Sequence, residues 1–476
     1  MKRAYITTAI PYVNAKPHVG HALDYLLADV LRRYLSMCDY EVRFQAGSDE
    51  HGSKIYQKAL AQKLSTQEFV DQNAAKLKAF IQSLGVEYTD FIRTTDAAHE
   101  RRCQEIWRRL SKHIYKDSYT SWYCNGCESF VTDKEYADNH GICPDHQAEY
   151  VRLSEENYFL RISDFKEQIC RVVESDQVKI IPAFRKKEVL NLLADMPDVS
   201  ISRPRTQVPW GITVPDDDTQ VMYVWLDALT NYITVLGYPD HDISDYWPAH
   251  TQIIGKDILR FHVGIWLSIL IGLDLPLPRR ILAHGFITVD GQKMSKSIGN
   301  VVDPLDILSR HGLEAFRYYF LRHISSFDDS DFSWEKYDAA YNELANDLGN
   351  LVQRLATLCR KNHLSGLRTP SISLDTSFVQ KMEACAFHEA FTLIWGEIQQ
   401  LNRRIDAEKP WTLAKTDPAA AQRCLESLVS DLLRTNQSLA IFLPDTAQAI
   451  DATFTAQSIT PPETPLFPKN PAPRHN

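Results

Sequence analysis

Two short segments of the sequence carry side chains that could bind phosphate groups. The first consists of Lys293, Met294, Ser295, Lys296 and Ser297. Two lysines among serines, with a glycine close behind, form a cationic loop that suits a nucleoside triphosphate, so this segment indicates an ATP site. Taken alone, such a pentad is more typical of a solvated surface loop.

The second segment lies far upstream and contains His18 and His21, with Gly20 between them. It follows a strand-like run, residues 4–9, and opens a stretch in which apolar residues recur at helical spacing. A helix that begins here would direct its free N–H groups at a ligand above the strand, and imidazoles can donate to phosphate oxygens. Gly20 would let a nucleotide approach the backbone closely. The alternative is that the histidines only cap the helix.

Together these segments resemble the HIGH and KMSKS signatures of the class I aminoacyl-tRNA synthetases. Four further segments, residues 9–12, 47–52, 223–232 and 254–262, are similar to segments of the methionyl-tRNA synthetases. Their joint occurrence is far more specific than any one short motif. The resemblance implies ATP-dependent ligation of L-methionine to tRNA(Met) through a methionyl-adenylate, with release of pyrophosphate and AMP. In class I enzymes the 2′-hydroxyl of the terminal adenosine accepts the amino acid.

The resemblance also implies a role for individual residues. ATP would be bound by His18, Gly20, His21 and the segment from Lys293 to Ser297, with Mg²⁺ bridging phosphate oxygens. The catalytic groups would be His18, His21, Lys293 and Lys296. Methionine would be bound by Ile10, Tyr12, Asp49, Trp225, Ala228, Leu229, Tyr232 and His262.

Within the methionine set, the resemblance places Asp49 at the ammonium group and Tyr12 and His262 near the sulfur. Trp225 and Tyr232 would form aromatic walls, which suit a thioether. Considered without the resemblance, Trp225 is more typical of a core aromatic and His262 of a buried helix histidine.

A segment in the middle of the chain has the spacing of metal ligands. It contains Cys124, Cys127, Cys143 and His146. Two pairs, each with two intervening residues, match a tetrahedral structural Zn²⁺ site with no position left for catalysis. Some methionyl-tRNA synthetases have four cysteines here, and His146 departs from that pattern. Free cysteines beside a surface histidine are the alternative.

The order of strand and helix patterns predicts an α/β fold with several domains. We expect a Rossmann-like parallel sheet split by a zinc-binding connective insertion and followed by an all-α anticodon-binding bundle. The predicted boundaries are 1–112 and 219–333 for the two halves of the sheet domain, 113–218 for the insertion, 334–442 for the bundle and 443–476 for a weakly ordered Pro-rich tail.

The composition is that of a globular protein that operates in a reducing compartment. The chain has 476 residues, 44% of them hydrophobic and 24% charged, which is enough for two or three domains. A net charge of −9 speaks against a uniformly basic nucleic-acid binder. No apolar run reaches membrane-spanning length, no targeting segment precedes the first strand, and most of the nine cysteines are scattered. We therefore expect a cytoplasmic protein with reduced thiols and no membrane partner.

The helical region contains side chains that suit unpaired bases. Asn350 and Arg354 lie four residues apart, and Trp411 follows Lys409 and Pro410. Amide, guanidinium and aromatic groups bind single-stranded RNA by hydrogen bonding and stacking. The resemblance assigns Asn350, Arg354 and Trp411 to the CAU anticodon, and it implies a monomer because a further dimerisation domain is not found. A packing tryptophan and a solvated arginine are the alternatives.

Two other functions share part of these features. Another class I synthetase would have the same two signatures, but the insertion is shorter than the editing domain of the leucine, isoleucine and valine enzymes, and cysteine enzymes spread their zinc ligands along the chain. A non-aminoacylating adenylyltransferase would lack the helical bundle. A tRNA-binding paralogue would have lost signature residues.

Overall fold

The computed structural model describes residues 2–14, 16–124, 126, 129–145, 147–289, 291–293 and 302–468, without the side chains of residues 119, 129 and 293. The strands are β1 Lys2–Thr8, β2 Tyr40–Ser48, β3 Asp90–Arg93, β4 Ile114–Cys124, β5 Ser129–Val131, β6 Val151–Leu160, β7 Lys179–Ile181, β8 Val199–Ser200, β9 Ser202–Pro204, β10 Thr213–Val214, β11 Asp217–Met222, β12 Thr251–Gly255, β13 Arg280–His284, β14 Ile287–Val289, β15 Gln292–Lys293 and β16 Ser330–Phe332.

Helices connect and cover these strands. They are α1 Val19–Met37, α2 Ser53–Ala61, α3 Thr66–Ser83, α4 Ala97–Arg109, α5 Asp133–Asp138, α6 Lys166–Glu174, α7 Arg185–Asp195, α8 Val224–Thr234, α9 Leu259–Phe261, α10 Leu267–Gly272, α11 Pro304–His311, α12 Leu313–Arg322, α13 Trp334–Leu344, α14 Asn350–Lys361, α15 Thr376–Glu383, α16 Phe387–Glu408, α17 Pro410–Thr416, α18 Pro418–Phe442 and α19 Pro444–Phe454. Among the described helices, none has the length and apolar character needed to cross a membrane.

A six-stranded parallel sheet organises the first two thirds of the chain. Its strand order is β3-β2-β1-β12-β13-β7, and every neighbouring pair is parallel. The chain runs outward from β1 to β3 on one side and from β12 on the other, so the direction of winding reverses between β1 and β12. Such a switch point leaves a crevice at the carboxyl ends of the two strands, where open α/β sheets bind ligands. The predicted α/β class with a Rossmann-like sheet is confirmed.

The insertion that splits the sheet differs from the prediction in its boundaries. Strands β4, β5, β6 and β8 form an antiparallel sheet, and β9 to β11 form a smaller one. In the chain between β6 and β8, strand β7 returns to the central sheet and pairs with β13. The predicted segment 113–218 therefore contains an edge strand of the catalytic sheet. A strand of three residues is too short for periodicity to reveal.

The helical bundle is packed directly onto the sheet domain. Apolar side chains of α1, such as Leu23 and Leu27, belong to the same buried cluster as Leu432 and Leu433 of α18. Arg317 lies fully buried at this junction and donates to Asp29 of α1 at 2.8 Å and to the carbonyl of Phe442 at 2.7 Å. The bundle therefore contacts the helix that begins next to His18.

The expectation of weak order after Pro444 is wrong as far as residue 468. Pro444 occupies the first turn of α19, which suits its fixed φ, and the buried residues Ala447, Ile450 and Phe454 form one apolar face. Beyond the helix, Ile459 and Phe467 are also buried. The proline at the start of α19 and the apolar periodicity that follows it predict a helix. The Pro-rich composition of the whole segment predicts weak order instead, and that prediction was wrong.

Candidate active site

An open cleft with an empty volume of about 830 Å³ lies at the switch point of the central sheet. The part of it that a water molecule can enter measures about 270 Å³, close to the lower end of the range of small-molecule sites, about 300–1,000 Å³. All eight residues predicted to bind methionine line it, namely Ile10, Tyr12, Asp49, Trp225, Ala228, Leu229, Tyr232 and His262. The cleft is also lined by residues that the sequence did not single out, namely Ala9, Lys54, Val224 and Ile258.

The eight residues come from four separate parts of the chain. Ile10 and Tyr12 follow β1, Asp49 follows β2, and His262 lies in the helical segment after β12. The other four lie on α8. Because parallel strands end at the same edge of a sheet, residues far apart in the sequence meet there.

The backbone around Asp49 is held in place on both sides. The Asp49 N–H donates to the carbonyl of Pro11 at 2.9 Å, and the Val13 N–H donates to the Asp49 carbonyl at 3.0 Å. The neighbouring carboxylate of Glu50 is fully buried and accepts two hydrogen bonds from Arg93 at 2.7 and 2.8 Å. These bonds fix the position from which the Asp49 side chain reaches the cleft.

One wall of the cleft is built from stacked aromatic rings. Trp225 lies on Phe261 with a centroid separation of 3.9 Å and an interplanar angle of 14°. Phe261 was not among the predicted site residues, although it directly precedes His262 in a segment that carries the resemblance. The stack fixes the indole plane of Trp225 beside the cavity.

His262 and Tyr232 form a hydrogen-bonded pair at the inner end of the cleft. His262 Nδ1 lies 2.9 Å from the carbonyl of Ile258, and His262 Nε2 lies 2.8 Å from the Tyr232 hydroxyl. Burial lowers the pKa of His262 to about 4, although the Ile258 carbonyl acts in the opposite direction. The neutral ring therefore donates from Nδ1 and accepts from Tyr232. Both ring nitrogens are engaged, so His262 orients Tyr232.

His18 and His21 cap the start of α1 reciprocally. His18 Nδ1 accepts from the Gly20 N–H, His21 Nδ1 accepts from the His18 N–H, both at 3.1 Å, and the rings are stacked 3.8 Å apart. Burial, followed by His18 and His284, lowers the pKa of His21 well below its ordinary value. A neutral ring that accepts at Nδ1 carries its proton on Nε2. The cap therefore requires the tautomer with its proton on Nε2, and that N–H can donate to a phosphate oxygen.

Gly20 is required by the cap itself. A Cβ at this position would lie 2.9 Å from His18 Cε1 and 3.0 Å from His18 Nδ1. A side chain would therefore displace the imidazole that closes the cap. The close approach of a nucleotide to Gly20 stays a prediction.

An ion pair beside His18 and His21 was not predicted. His284, at the end of β13, donates to Asp24 of α1 at 2.7 Å and to the carbonyl of Gly285 at 2.8 Å. Burial alone would lower the pKa of His284, but Asp24 and the hydrogen bonds raise it overall. The pair joins α1 to the strand that leads towards the lysine-containing loop.

The KMSKS-like residues Met294, Ser295, Lys296 and Ser297 lie outside the described part of the chain. The backbone of Lys293 pairs with Thr288 between β15 and β14. Asp331 of β16 accepts from the Gly291 N–H at 2.8 Å and supports the turn between those strands. The assignment of Lys293 and of the following residues to ATP stays a prediction.

Two of the four predicted zinc ligands are described, and they lie together. Cys124 and Cys143 are buried in one small cluster with Tyr150. The Cys143 N–H donates to the Ala148 carbonyl and the Gln147 N–H donates to the Cys143 carbonyl, both at 2.8 Å, so Gln147 and Ala148 are held beside Cys143. Cys127 and His146 lie outside the described residues. The two cysteines fit a structural metal centre in a knuckle-like turn.

The predicted anticodon residues are accessible on the bundle surface. Trp411 is 39% exposed, which excludes the alternative of a core tryptophan. The Arg354 guanidinium lies over its ring at 5.1 Å and also donates to Asp406 at 2.6 Å. Asn350 is exposed one helical turn before Arg354. The bundle therefore brings Arg354 and Trp411 together across two helices.

Comparison with known proteins agrees with this architecture. The family model described as tRNA synthetases class I (M) matches residues 4–152 and 147–356. A protein of Caldanaerobacter subterraneus subsp. tengcongensis named methionine–tRNA ligase is 38% identical over 94% of this chain and 73% of its own length. A protein of Brucella suis biovar 1 with the same name is 37% identical over 94% of this chain and 91% of its own length.

Solved structures give the same result. Mycobacterium tuberculosis methionyl-tRNA synthetase in complex with methionyl-adenylate superposes with a TM-score of 0.90 at 34% identity, covering 98% of this chain and all of that chain. The apo form of the same enzyme gives 0.83 at 31% identity, over 99% of both chains. A switch-point cleft, a doubly capped HIGH-like helix start and a matching helical bundle thus occur together over nearly the full length, and the chain belongs to the methionyl-tRNA synthetase family of class I.

Proposed function

We propose that this chain is a methionine–tRNA ligase that activates L-methionine with ATP and transfers the methionyl group to tRNA(Met). The observation that carries the proposal is that eight residues from four parts of the chain line one cleft at the switch point of the sheet. The names of the relatives and the adenylate-bound neighbour support the same reaction.

The cleft offers complementary groups for each part of methionine. A carboxylate at Asp49 would pair with the α-ammonium group. Trp225, Ala228 and Leu229 provide an apolar wall for the flexible side chain, and sulfur contacts with aromatic rings are favourable. Because His262 is neutral and buried, the inner end of the cleft suits an uncharged thioether better than a charged side chain.

The activation step needs positioning and charge neutralisation more than acid–base chemistry. A carboxylate oxygen of methionine forms a bond with the α-phosphorus of ATP, and the bond from that phosphorus to the pyrophosphate oxygen breaks. His18 and His21 would donate from Nε2 to the triphosphate. Lys293 and Lys296 would neutralise the leaving pyrophosphate. Mg²⁺, when bound with ATP, supplies further neutralisation of phosphate charge.

We infer a structural role for zinc in the insertion. Thiolate ligands at Cys124 and Cys143, together with Cys127 and His146, would hold the metal with its four positions filled. Cys124 and Cys143 support this, because they come from different segments and are buried in one small cluster, where two thiolates could meet at a tetrahedral metal. Zinc would stabilise the turn and take no part in the reaction.

We propose that the bundle reads the CAU anticodon through Asn350, Arg354 and Trp411. An exposed indole beside a guanidinium is a stacking platform for an unpaired base. Charging tRNA for translation would place the enzyme in the cytoplasm, and the described cysteines, none of which forms a disulfide, suit that compartment. We expect a monomer, which light scattering would check against the mass of one chain.

Pyrophosphate exchange into ATP tests the proposed substrate. The purified chain should catalyse exchange with methionine and should be far less active with leucine, isoleucine, valine or cysteine at equal concentration. Asp49→Asn removes the charge that would meet the ammonium group but keeps the side-chain volume. We expect a methionine KM at least about tenfold higher in this variant and an ATP KM within about twofold of the wild type.

Glu41→Gln is a suitable control, because it neutralises an exposed carboxylate at the far end of β2, which pairs with Arg3. Its methionine KM should equal that of the wild type. Exchange that depends on another amino acid, or that is independent of all of them, would contradict the proposed function.

A further inference from the structure

A buried polar face on α8 stands opposite the wall of the cleft. The residues that line the cleft are Val224, Trp225, Ala228, Leu229 and Tyr232. On the other side of the helix lie Asp227, Thr230, Asn231 and Thr234, all buried. Their spacing of three and four residues places them along one stripe of the helix. Buried polar groups are costly unless they are hydrogen-bonded, so this stripe requires partners.

Asp227 is the centre of that stripe and binds two histidines from different elements. Its side chain is 1% exposed. Oδ2 accepts from His51 Nδ1 and Oδ1 accepts from His99 Nε2, both at 2.7 Å. Burial alone would raise the pKa of Asp227, but His51 and His99 lower it overall. Against the effect of burial, the pKa of His51 is raised to about 10 by Asp227 and by Glu100, whose carboxylate lies 3.5 Å from Nε2. A carboxylate and an imidazolium thus face one another in the interior.

The short distances show a hydrogen-bond network rather than a metal site. His99, Cys103 and Asp227 are close enough to be considered as ligands, with donor atoms within 4.8 Å of one another. Two ligands on a tetrahedral Zn²⁺, each about 2 Å from the metal, would lie about 3.3 Å apart. The His99–Asp227 distance of 2.7 Å is that of an N–H···O bond. His99 Nδ1 bonds in turn to Thr234 at 2.7 Å.

The two histidines lead to different parts of the molecule. His51 lies two residues after Asp49, in the loop that follows β2. His99 lies on α4, which packs on the far side of α8. Asp227 is the charged residue in the first turn of α8, and it lies on the face opposite Trp225 and Ala228. The later turns have other anchors, since Gln45 donates to Asn231 at 2.8 Å.

We propose that Asp227 is a positioning residue that sets the spacing between the ammonium-binding carboxylate and the apolar wall of the methionine cleft. Through His51 it holds the loop that carries Asp49. Through its own helix it holds Trp225 and Ala228. The two sides of the cleft, which must fit one amino acid between them, are joined behind the cavity by a single carboxylate. This inference rests on the proposed function, because it assumes that methionine is the occupant.

The test compares Asp227→Asn with substitution of each of the two histidines that donate to Asp227. An amide can accept from one histidine only, so the first turn of α8 should shift relative to Asp49. We expect the methionine KM in pyrophosphate exchange to rise about tenfold or more, while the ATP KM and the kcat at saturating methionine change by less than about threefold. His51→Gln should reproduce the effect. His99→Gln, which leaves the link to the Asp49 loop intact, should change the methionine KM by less than about threefold.

A combined variant adds a second criterion. If His51 and Asp227 act as one unit, His51→Gln together with Asp227→Asn should raise the methionine KM no more than the larger single change. If the increases in methionine KM of the two single variants multiply in the double variant, the proposed link is wrong.

A matched control separates positioning from loss of folding. Asp29→Asn also neutralises a fully buried carboxylate, which pairs with Arg317 and Arg33 far from the cleft. It should lower the melting temperature and leave the methionine KM unchanged. If His51→Gln and His99→Gln lower the melting temperature equally and leave the methionine KM unchanged, Asp227 is only structural and the proposal is wrong. These outcomes are distinct from failure of the proposed function, which would appear as absent methionine-dependent exchange in the wild type.

Discussion

At the scale of single residues, the helix cap formed by His18 bears on the phosphate-binding role that we propose for it. Its Nδ1 closes the cap of α1 by accepting from the Gly20 N–H. The same bond sets the tautomer, because it leaves the ring proton on Nε2. The cap is therefore compatible with the proposed binding of phosphate, which needs a donor at Nε2.

The two roles can be separated by substitution at position 18. Asn is a strong helix cap but lacks a donor at the position of Nε2, so His18→Asn should keep the melting temperature while lowering the kcat of exchange by about 10²–10³-fold. His18→Ala should show the same catalytic loss and also lose about 1 kcal/mol of folding free energy. Exchange kinetics and thermal unfolding of both variants check this. A His18→Asn variant with wild-type kcat would show that His18 only caps the helix.

His262 gives a prediction about pH. Its pKa is lowered to about 4 in the folded protein, from about 6.5 in an unfolded chain, so the unfolded state binds more protons between these values. This residue therefore contributes full stability above pH 6.5 and loses it as the pH falls towards 4. Between pH 8 and pH 5 the loss should be about 2 kcal/mol.

Urea unfolding of the wild type and of His262→Gln at pH 8 and pH 5 measures that loss. The wild type should lose about 2 kcal/mol more than the variant over this interval, since every other titrating group is common to both. Equal losses would mean that His262 is not held neutral by burial.

At the scale of elements, the segment that contains Cys143 is where the proposed zinc would stabilise the insertion. Chelation of zinc, or Cys143→Ser, should remove bound metal and lower the unfolding temperature of the insertion. Elemental analysis of freshly purified, reduced protein should find one zinc per chain. Finding none would contradict the zinc assignment.

Substitution of His146 in the same experiment tests the fourth zinc ligand separately. Loss of zinc from His146→Ala is expected, whereas retention of zinc would mean that another group provides the fourth ligand. Ser154→Ala on β6 is a suitable control, because it removes only an exposed hydroxyl contact with Thr120. Its zinc content should equal that of the wild type.

At the scale of the whole molecule, the proposed sites of activation and of tRNA recognition lie in different parts of the fold. Trp411 lies on α17 in the bundle, and the methionine cleft lies at the switch point of the sheet. Trp411→Ala should therefore leave methionine-dependent exchange nearly unchanged. It should lower kcat/KM for tRNA by roughly one to two orders of magnitude, because stacking on one base contributes about 1–3 kcal/mol.

Trp395 provides the matched control for that substitution. It lies in the same bundle, on α16, but is only 1% exposed and donates to Asp347 at 3.0 Å. Trp395→Ala should cost about 3–5 kcal/mol of stability and lower both activities through the folded fraction, whereas Trp411→Ala should change the melting temperature little. If Trp411→Ala behaved like Trp395→Ala, the anticodon assignment would be wrong.

Local patterns in the sequence determined the fold class, the helical bundle and the identity of the family. Helices such as α1 and α3 begin where cap residues and apolar periodicity indicate, because these signals act over a few neighbouring residues. The short strand β7 and the ordered segment after Pro444 were not predicted correctly. Their stability comes from contacts with distant elements, with β13 and with the bundle, which local patterns do not record.

The sequence also named the residues of the methionine cleft through resemblance, but only the tertiary structure decided how they are held. Phe261 behind Trp225, the neutral state of His262 and the cap tautomer of His18 each follow from a neighbour in space. Asp227 is the clearest case, since nothing in its local sequence indicates that it joins His51 to His99. Burial and hydrogen bonding set the charge and orientation of these groups, and both depend on packing among elements up to hundreds of residues apart.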